Sequence, residues 1–427
     1  MTGICPFACS ADGADPTISA MTSTGSPFQY REFRALWLAR ALSLMGDQLA
    51  RVAIAVLVYE RTDSALLTAL AYALTFLPYL AGPLIAGIAD RRPRRSITVA
   101  LDLARAAGVA VMALPGMPLP VMGVLLVAVT MVSPLYDAAR SAMLPELLPA
   151  ETYPTGLAIF TITTEAAQVL GFAVGGVLVA ALGARLALSL DALTFLIAAL
   201  AVMVGVVSRP PAHDITESHG AQLKAAARLV FGSPMLRRLL ALAWLNAMWV
   251  VPEGLAAPYA AELHAGATGV GLLLAAIPLG CVIGAGLLVR VTNHDQRMRL
   301  MLPLAMCTGL PLAACALHPG LPVTLVLWAL CGVGTAYNVA ANTAFVREVP
   351  NSRRSQAIAL ATTGMVSGQG LAILLGGLAA AVMPPWAVVG VAGGLGVVFA
   401  ATLTLFKTAE TCSGVELTVP AMVTAEP

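Results

Sequence analysis

Long apolar runs, most of them close to twenty residues, recur along this chain, and the arginines between them crowd into alternate gaps. A helix needs about 20 apolar residues to cross the hydrocarbon of a bilayer. Loops rich in Lys and Arg are retained on the cytoplasmic side. Twelve runs can be placed, at 36–58, 65–89, 96–114, 119–139, 153–182, 186–207, 238–258, 268–289, 300–317, 321–343, 356–382 and 386–406. With the N-terminus in the cytoplasm, nineteen of the 24 Lys and Arg fall in inner gaps. Arg61 and Arg185 fall outside, and Arg40, Arg51 and Arg105 lie within spans. The densest gap, Arg91, Arg92, Arg94 and Arg95, cannot rest in hydrocarbon, where a central Arg costs about 2.5–3.5 kcal/mol. The pattern predicts an all-α, multi-pass protein of the cell (inner) membrane, with both termini cytoplasmic.

Composition agrees. The chain is 59% hydrophobic and 11% charged, with a mean hydropathy of +0.86, where soluble domains carry about 25% charged residues. No large soluble domain is expected. The seven cysteines lack metal-type spacing and read as small buried side chains. The two lysines, Lys224 and Lys407, follow Leu223 and Phe406, so no Gly-Lys phosphate loop exists. The histidines, at 213, 219, 264, 294 and 318, form no His-Glu-x-x-His pattern. An ATP-driven pump or an embedded enzyme is therefore disfavoured. No catalytic residue, metal, cofactor or nucleic-acid partner is expected.

The runs divide into an N-terminal tail (1–34), a first set of six spans (35–207), a polar connector (208–237), a second set of six (238–406) and a C-terminal tail (407–427). The first tail reads as disordered, lacks the pattern of a signal peptide, and offers Met21 as an alternative start to Met1. Ala86, before the basic gap, has a counterpart in Gly286, before Arg290, Arg297 and Arg299, a trace of an internal repeat.

Ala86-Gly87-Ile88-Ala89-Asp90-Arg91-Arg92-Pro93-Arg94-Arg95 resembles the loop motif between the second and third helices of the major facilitator superfamily. Asp90, Arg91, Arg94 and Arg95 match; the first Gly is shifted by one, and Pro93 replaces the second. Ser43-Leu44-Met45-Gly46-Asp47 resembles the first-helix signature of its prokaryotic exporter-like branch. Arg140 with Leu144-Pro145-Glu146-Leu147, and Val349-Pro350 with Arg353 and Arg354, resemble two further loops of that branch. Gly171, Gly175 and Gly176 resemble the fifth-helix antiporter motif, with Phe172 in place of its Pro and Ala158 and Ala167 at its small positions. The resemblance implies two six-helix halves, close packing at these glycines, and a gating latch in the basic loop. In that latch Asp90 would face the start of the eleventh helix, and the arginines could pair with Asp137. The fourth span carries no mid-helix arginine, which separates the chain from typical drug–proton antiporters.

Three charges share one face of the first span. At about 100° per residue, Arg40, Asp47 and Arg51 fall within about 40° of one another. A charge at that depth must face protein or water, as a structural ion pair or as a proton- or substrate-binding site. In the fifth span Thr161, Thr164, Glu165 and Gln168 share a face that suits either a cavity lining or interhelical hydrogen bonds. Asn246, Trp249 and Glu253 in the seventh span are further candidates. Trp249 could meet a substrate or simply pack, Pro252 could break the helix, and Glu253 could sit near the outer mouth. Asn338 and Asn342 lie one turn apart in the tenth span. Desolvation favours the neutral form of a buried carboxylate, so Asp47, Glu165 or Glu253 could carry a proton. The expected function is alternating-access transport of a small lipophilic molecule by a monomer, as proton-coupled efflux of a drug or secondary metabolite. Uptake of a nutrient or siderophore is the alternative, and a membrane sensor or enzyme a remote one.

Overall fold

A computed structural model describes residues 26–76, 78–79, 93–209, 227–350 and 353–412, and holds no strand among them. A short 3-10 turn, Pro27–Gln29, leads into α1 (Arg31–Thr62). Then follow α2 (Ala65–Leu74), α3 (Arg94–Met112), α4 (Leu119–Met131), α5 (Ser133–Leu147), α6 (Tyr153–Leu182) and α7 (Ala184–Gly205). The second half holds α8 (Pro234–Trp249), α9 (Val251–Gly254), α10 (Ala256–Glu262), α11 (Gly266–Val291) and α12 (His294–Ala314). It closes with α13 (Leu321–Gly334), α14 (Tyr337–Glu348), α15 (Arg354–Ala379) and α16 (Pro385–Cys412).

Among the described residues nine helices are long and apolar enough to cross a bilayer, or ten when the bent pair spanning α8–α10 counts as one. The two remaining expected spans fall on α2 and α3. The described part of α2 has ten residues, and α3 carries Arg94, Arg95, Asp102 and Arg105 within its nineteen. The arrangement is consistent with two sets of six spans. Leu170, Val177, Val204 and Val291 lie exposed on the outer surface, as suits helices whose solvent is lipid.

Local chemistry sets the ends and breaks. Ser64 caps α2 by accepting from the Leu67 amide, and Asn293 and Gln296 form a reciprocal capping box at α12. Gly183, at φ +81°, turns α6 into α7. Pro252 has no amide hydrogen to continue the helical ladder, and the seventh span breaks around it. The Glu253 amide donates to the Val250 carbonyl and the Leu255 amide to that of Pro252, at 3.0 and 3.1 Å. The axis then bends by 46°. By contrast α6 runs unbroken through Phe172, where the antiporter motif would place a proline.

The two halves meet where glycines bring backbones together. A Cβ on Gly176 of α6 would lie 2.7 Å from the Gly271 Cα of α11. A Cβ on Gly377 of α15 would lie 2.5 Å from the Ala69 Cβ of α2. Lipid-bathed helices associate by such close packing, since lipid offers no hydrophobic drive between them. These crossings lie toward the end of the bundle that carries Asp63 and Gly183. There one apolar core joins Ala69, Tyr72 and Phe76 to Val251, Leu255 and Ile373 of the other half. That core also runs along the second half to Phe345 and Val349, and among the described residues two smaller clusters toward the arginine-bearing end each stay within one half. Phe33, Leu36, Leu147, Phe160 and Val202 pack in the first, and Ala285, Leu288, Ala336 and Val339 in the second.

Candidate functional site

The charged face of α1 lines a cavity in the first half, with about 680 Å³ of empty space, open mouth included. Arg40, Asp47 and Arg51 all reach it, as their common face requires. Tyr79, Arg105, Tyr136, Asp137 and Asp191 bring further polar groups from α3, α5, α7 and the stretch after α2. Met112, Leu126 and Val129 add apolar wall.

Most of these charges are paired between helices. Arg105 Nη2 donates to both oxygens of Asp47, at 2.7 and 3.0 Å, and its Nη1 donates to Ser43 Oγ at 3.2 Å. Two donations from one guanidinium to one carboxylate strengthen and orient the contact. The guanidinium also lies 4.3 Å from the Phe195 ring centroid, within cation–π range. Arg40 Nη1 donates to Asp137 Oδ1 at 2.9 Å. Gly46 is needed one residue before Asp47, because a Cβ there would collide with Asp191 and Thr194 on α7.

The third member of the stripe lies beside a residue that connects the halves. The Arg51 guanidinium stands 5.8 Å from the centroid of the Tyr72 ring. The Tyr72 hydroxyl donates to Glu253 Oε2, across the junction, at 2.7 Å. Both residues are buried, Tyr72 to 4% and Glu253 to 3% exposure. Glu253 therefore sits in the seam between the halves, not at an open mouth.

Other expected placements differ. Asp137 takes its ion pair from Arg40 on α1, because α5 extends to Leu147 and carries Asp137 to cavity depth. The pairing expected between Asp137 and the basic loop involves Arg91, which lies outside the described residues, as does Asp90. Arg94 pairs with Glu146, and Arg95 donates to the Met203 carbonyl. Trp249 is 1% exposed, donates to the Tyr337 hydroxyl at 3.3 Å and covers Gly309 and Gly396. It packs inside the second half and does not line the cavity. Thr161 and Thr164 donate to the Leu157 and Phe160 carbonyls of their own helix. Glu165, Gln168 and Asn246 are buried, and Asn338 and Asn342 half-buried. None of these seven lines this pocket of the first half. Gly171 and Gly175 seat α6 on Gln48 and Leu49 of α1, while Gly176 crosses α11.

The missed residues are Asp102, Arg105 and Asp191. A signal existed for the first two, since paired charges three residues apart inside an apolar run are costly in lipid. Asp102 is fully buried and Asp191 is 1% exposed. Among the described residues no group of three His, Cys, Asp or Glu is disposed to hold a metal ion. Cys315 and Cys331 are buried, Cys281 half-buried and Cys307 exposed.

Comparison with known proteins bears on this arrangement. Residues 22–417 match a family described as transmembrane secretion effector. The enterobactin exporter EntS of Citrobacter koseri is 28% identical over 370 residues, covering 82% of this chain and 86% of the relative. Macrolide efflux protein A of Streptococcus pyogenes is 25% identical, covering 74% and 81%. The multidrug efflux pump Tap of Mycolicibacterium fortuitum is 26% identical, covering 67% and 74%. Among solved structures the fold resembles the POT family transporter PepTSo, with a TM-score of 0.70 at 11% identity over 90% of this chain and 99% of that one. It also resembles a bacterial Spinster homologue in an inward-facing, unoccupied conformation, with a TM-score of 0.63 at 15% identity, over 89% and 95%.

Proposed function

The chain belongs to the transmembrane secretion effector family of the major facilitator superfamily, and from that premise we propose that it exports a small, lipophilic molecule across the cell membrane by alternating access, driven by protons. Relatives named for the export of a siderophore, macrolides and drugs support outward transport over uptake. A transporter family implies transport and not enzymatic turnover.

The observation that carries the mechanism is the one-sided seal beside a charged cavity. Among the described residues the halves share a core at the end bearing Asp63 and Gly183, while the clusters around Phe33 and Ala285 toward the arginine-bearing end each stay within one half. Positive loops favour the cytoplasm. With that end inside, the conformation is open inward and closed outward. The halves 35–207 and 238–406 then move as units about the cavity, joined by the connector 208–237, and a monomer suffices. Arg51, Tyr72 and Glu253 form the outer latch. Arg94 with Glu146, at the foot of the basic loop, belongs to the inner gate with Asp90 and Arg91.

The test is an accumulation assay in cells expressing the chain, with erythromycin, ethidium and a catecholate siderophore as probes, with and without a proton uncoupler. The expected outcome is lowered accumulation of at least one probe, reversed by the uncoupler. Raised accumulation would reverse the direction. Efflux indifferent to the uncoupler would remove the proton as driving ion.

A further inference from the structure

Asp102 stands apart from every pair described above. It is fully buried on α3, and neither carboxylate oxygen has a hydrogen-bond partner among the described residues. The neighbouring acids are held differently. Asp47 accepts twice from Arg105, Asp137 accepts from Arg40, and the Asp191 carboxylate lies 3.3 Å from Thr194 Oγ1, whose hydroxyl also reaches the Asp191 carbonyl at 2.8 Å. An ionised carboxylate enclosed without a donor is far costlier than a neutral one, and an intramembrane acid is by default a functional position.

The surroundings are charged on several helices. Arg105 lies one turn along α3, Asp47 and Arg40 act on Asp102 from α1, and Arg140 acts from α5. The Tyr136 ring of α5 lies 5.6 Å from the Arg105 guanidinium, and Asp191 of α7 lines the same cavity as Arg105. Further polar atoms in this cluster are buried without a hydrogen-bond partner among the described residues. They are the Tyr136 hydroxyl, Arg140 Nη1, and the Nε atoms of Arg40 and Arg105. Such a concentration of unmet groups is rare in native interiors and calls for a specific cause. Arg105 supplies one, because the guanidinium that could neutralise Asp102 is held on Asp47 instead.

We propose that Asp102 is a proton-binding site, neutral in this conformation, whose proton is displaced when Arg105 turns from Asp47 to Asp102. The step balances. The carboxyl O–H bond breaks, the proton passes to cavity water admitted as Arg105, which lines the cavity, swings off Asp47, and the new carboxylate takes the guanidinium as its counter-ion. Asp47 is left free to accept the next cation or proton. The use of this site to drive export rests on the proton-coupled reading above. Asp102 then replaces Asp47 as the carrier, and Asp47 becomes the alternate seat of Arg105.

Infrared spectra of the purified full chain in lipid test the site without any substrate, through the carbonyl stretch of protonated carboxylic acids. The wild type should show a component that Asp102→Asn lacks, that Asp102→Glu restores at a shifted position, and that Glu253→Gln retains. An Asp102→Asn spectrum indistinguishable from wild type would overturn the proposal. The coupling role is read in vesicles loaded with radiolabelled erythromycin. Asp102→Asn should keep exchange of label down its gradient while losing at least tenfold of uncoupler-sensitive uphill transport. Retention of that uphill transport by Asp102→Asn would exclude Asp102 as carrier. Wild-type transport blind to the uncoupler would instead overturn proton drive itself, leaving the infrared result to decide the site.

Discussion

Arg105 holds Asp47 from a helix 58 residues away in sequence, and the two partners differ in burial. The Arg105 side chain is 4% exposed and that of Asp47 29%. Breaking a fully buried pair costs roughly 3–5 kcal/mol, chiefly because one charge is left without a partner. Water near Asp47 screens part of this, so Asp47→Asn should cost roughly 1–3 kcal/mol. Adding Arg105→Gln should recover much of the loss. Thermal unfolding of the solubilised variants checks both, and a double variant no more stable than Asp47→Asn would refute the pairing as the cause. Tyr72→Phe removes a hydroxyl that reaches Glu253 across the junction. A hydrogen bond of this kind contributes about 1 kcal/mol net, a roughly fivefold shift away from the sealed state. Spin labels at Asp63 and His264, on turns of opposite halves at the sealed end, should show a larger long-distance population.

At the scale of helices, the seal depends on crossings that no side chain can relieve. The atom facing Gly176 is the Gly271 backbone, and the atom facing Gly271 includes the Phe172 carbonyl, 2.5 Å from an added Cβ. Gly271→Val should therefore push α6 and α11 apart and abolish outward closure more completely than Tyr72→Phe. The same spin-label pair would report it, with export of any transported probe lost as well. The glycines of α6 were legible as packing positions through the fifth-helix motif they resemble, whose small residues suit a close approach. Which helix each glycine meets was not legible. Two of them seat on α1 and the third crosses into the other half, a division fixed by the tilt of α6 between two neighbours.

For the whole molecule, the span pattern rests on thermodynamics that act locally along the chain. A run of apolar residues and the arginines flanking it set insertion and orientation largely independently of tertiary contacts. Orientation can be checked with Cys307 replaced by serine. An impermeant thiol reagent outside intact cells should label Pro115→Cys, in an exposed turn after α3, and spare Glu151→Cys, in an exposed turn before α6. The reverse pattern would invert the molecule and exchange the inner and outer gates.

From sequence alone came the all-helical membrane body, its halves, and the charged stripe of α1, since hydropathy and helical periodicity are properties of neighbouring residues. The partners of that stripe were decided only by folding. Asp47 belongs with Arg105, Arg40 with Asp137, and Arg51 with Tyr72, which reaches on to Glu253, each joined from different helices. The isolation of Asp102 was decided there too, because whether a buried charge is met depends on the side chains that three other helices bring around it. A charge in lipid can be seen in the letters of a chain. What answers that charge is a matter of distance, and distance is set by how the helices pack.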